Sequence, residues 1–285
     1  LGPGYDAELW KALAYAKQEK WVEARERFKN AEFTLAALPA DLQRAALMLA
    51  LRASLEVKDY AGASSRGSEL ETVGISPEIK PAAMLLSGWL DEALGREKDA
   101  LSKYQDVTGS LDRQSAAEAK LREVNLRQKR NEISSEDALH DLEILAVTWR
   151  GDGTEVQVLQ ILSRMYAELG RYNDSLLAAR TATERQANSE AARQVQDEAQ
   201  ALFSQIYLTP KGDSLPPVDA LAMFYEFREL TPIGRRGDEM IRRLADRLVA
   251  VDLLDQAAEL LQYQVDHRLE GAARSQVAAR LAMVY

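Results

Sequence analysis

The chain has 285 residues, 46% of them hydrophobic and 28% charged, and 45 Asp and Glu against 36 Lys and Arg set a formal charge of -9. That is a folded composition, and its acid excess argues against general nucleic-acid binding while leaving room for a local basic patch. With no Cys and two His, disulfides and thiolate chemistry are excluded and most His-based sites are disfavoured; the longest apolar run, Ala45 to Leu51, is far short of a membrane span.

Ala is abundant, Gly (15) and Pro (8) are sparse and fall at intervals, and no run alternates Val or Ile with polar residues. Good helix formers broken by punctuation predict an all-α chain. The start, Leu1-Gly2-Pro3-Gly4, has the look of a trimmed edge, so a secretion signal could precede it and the compartment stays open. The first unit, residues 5–38, reads Trp10-Lys11-Ala12-Leu13-Ala14-Tyr15, then a turn, then Lys20-Trp21-Val22-Glu23-Ala24 with Phe28 and Ala31. A thinner unit at 42–73 centres on Ala63. Ser76-Pro77 predicts an N-cap before a first-turn proline. Residues 77–110 then read Leu86-Ser87-Gly88-Trp89-Leu90, a Gly95-Arg96 turn, and Ala100, Tyr104 and Val107. Residues 115–150 form another thin unit around Ala138. After the turn Gly151-Asp152-Gly153, Thr154-Glu155-Val156-Gln157 predicts a capping box. It opens the unit 154–187, with Leu159, Leu162, Tyr166, Gly170-Arg171-Tyr172, Ser175, Ala179 and Ala182. In the unit 190–231 the block 209–217 is an inserted turn that lets Asp219 or a neighbour open the next helix. Such an insertion is a plain loop or a partner-contacting one. Phe224, Phe227 and Pro232 follow it. Residues 237–270 carry Leu244, Leu248 and Leu261, and 275–285 read as the first helix of an eighth unit that stops early. The chain is therefore expected to be a fragment of a longer protein, because terminal repeats need a polar outer face.

One phrase thus recurs. A helix ends in an aromatic or Leu, a short polar turn follows, and a small residue sits early in a second helix. The small residues are Ala24, Ala63, Ala100, Ala138, Ser175, Ala220 and Ala257, at intervals of 39, 37, 38, 37, 45 and 37. A larger residue four on and an apolar one seven on make a single helical stripe. These residues resemble the tetratricopeptide repeat (TPR), a 34-residue helix–turn–helix unit, although every interval here is longer. The resemblance covers nearly the whole chain and implies a right-handed α-α superhelix, one solenoid of about seven helix pairs plus a terminal helix.

Chemistry is scarce along the chain. No phosphate-binding Gly loop, zinc-protease pair or Ser-centred elbow occurs. His140 and His267 are 127 positions apart and read as exposed polar residues, and the many carboxylates read as solvated helix faces. Trp10, Trp21 and Trp89 are expected to pack within repeats, and Trp149 to end a helix. No cofactor and no metal is expected.

In the TPR family the first helix of each pair lines a concave groove that binds peptides or partner helices. Carried onto this chain, the resemblance implies groove positions at Leu9, Leu13, Met48, Arg52, Leu55, Leu85, Trp89 and Glu92. It implies a basic stretch next, at Lys120, Glu123, Arg127 and Arg130. Gln157, Gln160, Arg164, Ala201, Gln205, Glu239, Arg242 and Asp246 follow. Arg122, Arg127, Lys129 and Arg130 reverse the local charge and read either as a seat for an acidic segment or as a solvated face balanced by Glu123 and Glu132. The carboxylate clamp of chaperone-binding TPR proteins is not reproduced. The expected function is a non-catalytic scaffold that binds another protein or peptide, with no nucleic acid and no membrane insertion. Alternatives are a regulatory or sensor module of a larger enzyme or transcription factor, an RNA-binding helical repeat, and an enzyme in its own right. Arg outnumbers Lys 25 to 11, a bias common in GC-rich bacteria.

Overall fold

The seven small residues each become the fourth residue of a helix in the computed structural model, which describes residues 3–268 and 271–284. Those helices are α2 (Trp21–Asn30), α5 (Tyr60–Val73), α7 (Glu97–Thr108), α9 (Ser135–Thr148), α11 (Tyr172–Arg185), α13 (Pro217–Glu226) and α15 (Leu254–His267). Each follows a first helix across a turn: α1 (Pro3–Lys17), α4 (Ala40–Glu56), α6 (Lys80–Ala93), α8 (Arg113–Lys129), α10 (Gly153–Glu168), α12 (Glu190–Leu208) and α14 (Arg235–Ala250). A five-residue α3 (Glu32–Ala36) follows α2, and α16 (Gly271–Val284) follows α15. The described residues contain no strand, and none of their helices is long and apolar enough to cross a membrane.

All seven small residues are buried. Six are alanines with no exposed surface, and Ser175 is 1% exposed. In each case the amide N–H donates to the carbonyl of the residue before the helix at 2.9–3.0 Å, the first bond of the helical ladder. A side chain no larger than a methyl or hydroxymethyl lets the facing backbone approach there. Where the residue is Ser175, Ser163 Oγ donates to its carbonyl at 2.9 Å and Ser175 Oγ donates back to the Ser163 carbonyl at 2.7 Å, so neither hydroxyl is orphaned. In the pair α6/α7, Gly88 faces Tyr104, and a Cβ at Gly88 would stand 3.0 Å from the Tyr104 ring.

Six of the seven turns have one construction. The first helix ends on a residue with positive φ: Glu19, Lys58, Gly95, Asn131, Gly170 or Asp252. The N–H of the next residue then reaches the carbonyl five positions back, as Arg96 does to Asp91 and Arg171 to Tyr166, each at 2.8 Å. This satisfies carbonyls that the helix end leaves over. The seventh turn, between α12 and α13, is a 3-10 segment at Pro210–Gly212, and a Cβ at Gly212 would collide with the Ile206 carbonyl oxygen.

The pairs fall into two compact units, Leu1–Trp149 and Arg150–Tyr285. In the first, Leu9, Phe28, Leu35 and Leu47 belong to one buried cluster, and Leu85, Tyr104, Val107 and Leu126 to another. In the second, an aromatic group links two pairs: Phe203 and Tyr207 lie 4.8 Å apart edge-on, and Phe224 stands within 6.1 Å of Phe203 and 6.2 Å of Tyr263. The buried Tyr207 hydroxyl donates to the Ala220 carbonyl at 2.6 Å.

Three local expectations are corrected. Helix α10 is capped by Asp152, whose carboxylate accepts the N–H groups of Thr154 and Glu155, while Glu155 reaches back to the Gly151 N–H at 3.0 Å. The capping box therefore starts two residues earlier than Thr154, because Asp152 already offers a fixed acceptor. Ser76-Pro77 begins a turn and not a helix; α6 starts at Lys80 with Pro81 in its first turn. Trp10 is 71% exposed, whereas Trp21 packs on the first core cluster. Leu1, Gly2 and Tyr285 lie outside the described residues.

Candidate functional site

In the first unit, side chains from three successive first helices meet over Trp89. Arg52 on α4 donates to Glu118 on α8 at 2.8 and 3.4 Å, a pair 66 positions apart in the chain. Arg122, one turn further along α8, donates to the same carboxylate at 3.1 Å. Its guanidinium lies over the Trp89 indole with its carbon 3.6 Å from the ring centre, and that of Arg52 stands at 5.7 Å. A planar cation on an indole face is attracted by the ring quadrupole and held flat. Burial pushes the Glu118 carboxyl up, but Arg52 and Arg122 outweigh it and hold the group below its ordinary range. Glu56, 3.7 Å from Arg52, has the opposite balance: burial raises its pKa, and the charges of Arg52 and Arg122 do not offset it.

The other expected residues of this unit go elsewhere. Glu92 turns toward α7 and accepts the Tyr104 hydroxyl at 2.9 Å. Lys120 stands 3.7 Å from Asp141 on α9 and from Glu123, itself buried. Arg127 is 3.7 Å from Glu123. Arg130 bonds Glu97 on α7 at 2.9 Å and Glu132 at 2.8 Å, and Lys129 shares Glu97. Leu9, Leu55 and Leu85 are core residues.

Pair four explains the offset. Five positions separate the positive-φ residue from the small residue in pairs such as Lys58 to Ala63 or Gly95 to Ala100. From Asn131 to Ala138 there are seven. Counting eleven back from the small residue reaches Arg52 and Trp89, which lie near each other, and in pair four reaches Arg127, two positions beyond the residue at the same distance from its turn. The matching residue is Asn125, which is exposed. The Glu118–Arg122 spacing of four, an acid followed by a base one turn on, was the available signal.

The second unit is laced in the same way. Arg164 on α10 grips Glu198 on α12 with two bonds, at 2.6 and 3.0 Å. Asp246 on α14 pairs with Arg280 on α16. Arg242 pairs with Glu239 on its own helix, and the Gln160 amide nitrogen is buried without a hydrogen-bond partner among the described residues. Beside these lies a cleft of about 680 Å³. One wall is a stripe of α12 that runs Asp197, Ala201, Ser204, Gln205 and Leu208, a helical spacing of one face. The other is the segment from Glu229 to Ile233, with Arg236 from the first turn of α14. Ala201 and Gln205 were expected at such a surface; Ile233 was not. It is 99% exposed. Asp197 and Arg236 have no ion-pair partner among the described residues, where no group of three or more metal-ligating side chains occurs either. The arrangement offers an apolar edge and two unpaired charges of opposite sign, which suits recognition of a chain segment.

No family model matches the sequence, and no curated protein matches it. Among solved structures, the apo form of the quorum sensor NprR from B. thuringiensis is similar over 98% of this chain and 80% of its own, at 14% identity and a TM-score of 0.49. A tetratricopeptide repeat protein from Parabacteroides merdae is similar over 99% of this chain and all of its own, at 17% identity and 0.38. The TPR2AB domain of yeast Sti1, solved as a pHSP90 complex, covers all of this chain at 14% identity and 0.32. Those likenesses are distant; what the chain itself shows is an all-α succession of helix pairs, with small fourth residues, shared turns and first helices bonded to first helices, similar in kind to tetratricopeptide repeats.

Proposed function

We propose that this chain is a non-catalytic protein-interaction scaffold that takes a peptide or partner helix along its first-helix faces. The observation that carries the reading is the cleft beside α12, where Ile233 is held in water at the mouth of a trough with unpaired charges at its sides. Exposure alone does not mark Ile233; its place at the edge of this trough gives an apolar surface that a partner's side chain can cover. Arg236 supplies the free guanidinium for an acidic residue of that partner, a role that the run 122–130 fills poorly because Arg122, Arg127 and Arg130 are already paired.

Panning a random 12-residue phage library on the immobilised chain tests this. Enriched peptides should carry an apolar residue near an acidic one. They should lose at least about tenfold in affinity on Ile233→Asp and on Arg236→Glu, the scale of one buried anchor or ion pair. Leu111→Asp, an equally exposed control in the first unit, should leave binding unchanged. A library that yields no enriched peptide, or peptides indifferent to Ile233→Asp, would count against the reading.

A further inference from the structure

A second surface lies on the other side of the Glu229–Leu230 wall, away from the cleft beside α12. Helix α13 stops at Glu226 after 10 residues, while α5, α9, α11 and α15 run for 14. The chain turns back there through a 3-10 segment at Arg228–Leu230. The second half of α11 is left facing a cleft of about 340 Å³ with Leu176, Ala179 and Ala199 on its floor and Phe227 and Leu230 at its side. That volume is at the lower end of the range, roughly 300–1,000 Å³, of pockets that hold a ligand.

The rim is acidic. Glu226 and Glu229 share one cation, Arg180, which donates to both carboxylates at 2.9 and 3.1 Å, bonds the Glu226 carbonyl, and lies 4.4 Å over the Phe227 ring. Glu184 on the opposite side is exposed and has no ion-pair partner among the described residues. Glu184 and Glu229 line the cleft against one guanidinium, Arg180, which Glu226 beside it also engages, so the apolar floor lies under a net negative rim. We propose that this cleft is a separate docking site for a partner protein's segment that inserts an apolar side chain next to a lysine or arginine. The apolar group fills the space that a longer α13 would have covered, and the cation pairs with Glu184 and the Glu226–Glu229 couple. This site does not depend on the first-helix reading.

The test uses the whole 285-residue chain, isotope-labelled for amide NMR, and two synthetic probes: N-acetyl-Lys-Leu-Leu-Lys-amide and N-acetyl-Glu-Leu-Leu-Glu-amide. The lysine peptide should shift the amides of Ala179, Thr183 and Ala199 and bind at least about tenfold more tightly than the glutamate peptide, with the difference shrinking in high salt. Ala187→Trp, at an exposed rim position, should block it, and Glu184→Lys should weaken it about fivefold or more. Ile233→Asp should leave it unchanged, which separates this site from the cleft beside α12. Shifts absent from these amides, equal affinity for both peptides, or full binding by Ala187→Trp with its helical circular dichroism intact would overturn the proposal.

Discussion

Four of the six like-built turns place a residue other than glycine in the left-handed region: Glu19 at φ 57, Lys58 at 62, Asn131 at 58 and Asp252 at 61. An L-residue there carries about 1–2 kcal/mol of steric cost, less for Asn, whose side chain tolerates the region. Glycine removes that cost and gives part of it back as unfolded-state entropy. Lys58→Gly should therefore stabilise the chain by about 0.5–1 kcal/mol in urea titration, and Asn131→Gly by less. A lower midpoint for Lys58→Gly would show that its turn is not held as described. Glu56 sets a second residue-level expectation. Burial raises its folded pKa, so ionising it costs stability as pH rises from the unfolded carboxyl range through that value. Glu56→Gln should raise the urea midpoint at pH 7, and the difference from wild type should fade toward about pH 3, where Glu56 is neutral in both states. Glu118 has the opposite sign: its lowered pKa contributes stability above the unfolded value, lost as pH falls through the folded one. A Glu56→Gln gain that persists at low pH would locate its origin in something other than ionisation.

At the scale of the element, the fourth residue of the second helix sets how near two helices lie. Ala100 has no exposed surface, and one turn further along α7 the Tyr104 ring meets Gly88 of α6. Ala100→Leu should force those helices apart and cost about 1–3 kcal/mol. A melting temperature equal to wild type would mean that Ala100 does not sit in the seam. The pairs were legible because both signals are local: a small residue every 37–45 positions, and an aromatic or Leu followed by a polar turn. Pair four was the exception. Its turn is two residues longer, so counting from Ala138 selected Arg127 in place of Asn125, and Lys120 in place of Glu118. Periodicity alone does not reveal such an insertion, since a shift of two residues on a helix still lands on polar side chains.

At the scale of the molecule, each helix pair packs chiefly on the pairs next to it in its own unit. Stability in such an array is a sum of pairs and their adjoining surfaces. Ala220→Leu should accordingly speed amide exchange in α12, α13 and α14, while the amides of α1, α2, α4 and α5 keep their protection. Equal loss of protection at all sites would indicate one cooperative block. Three ion pairs tie first helices together, Arg52–Glu118, Arg164–Glu198 and Asp246–Arg280, and each joins residues from 34 to 66 positions apart. The clefts of the second unit likewise each need α12 and the stretch after α13 at once, one with the start of α14 and the other with α11.

The amino-acid order by itself determined the helical class, the pairing of neighbours and the places where backbones touch, because each depends on residues within about one repeat of one another. It also carried Arg52 and Trp89 to one site. Only the tertiary structure decided that Glu118 joins Arg52, that Arg122 lies on Trp89, that Arg130 is spent on Glu97 and that Ile233 stands in water. Those outcomes depend on the rotation of each helix about its axis against the next pair. Turn lengths set that rotation and core packing locks it, and neither is written in the side chain that it finally aims.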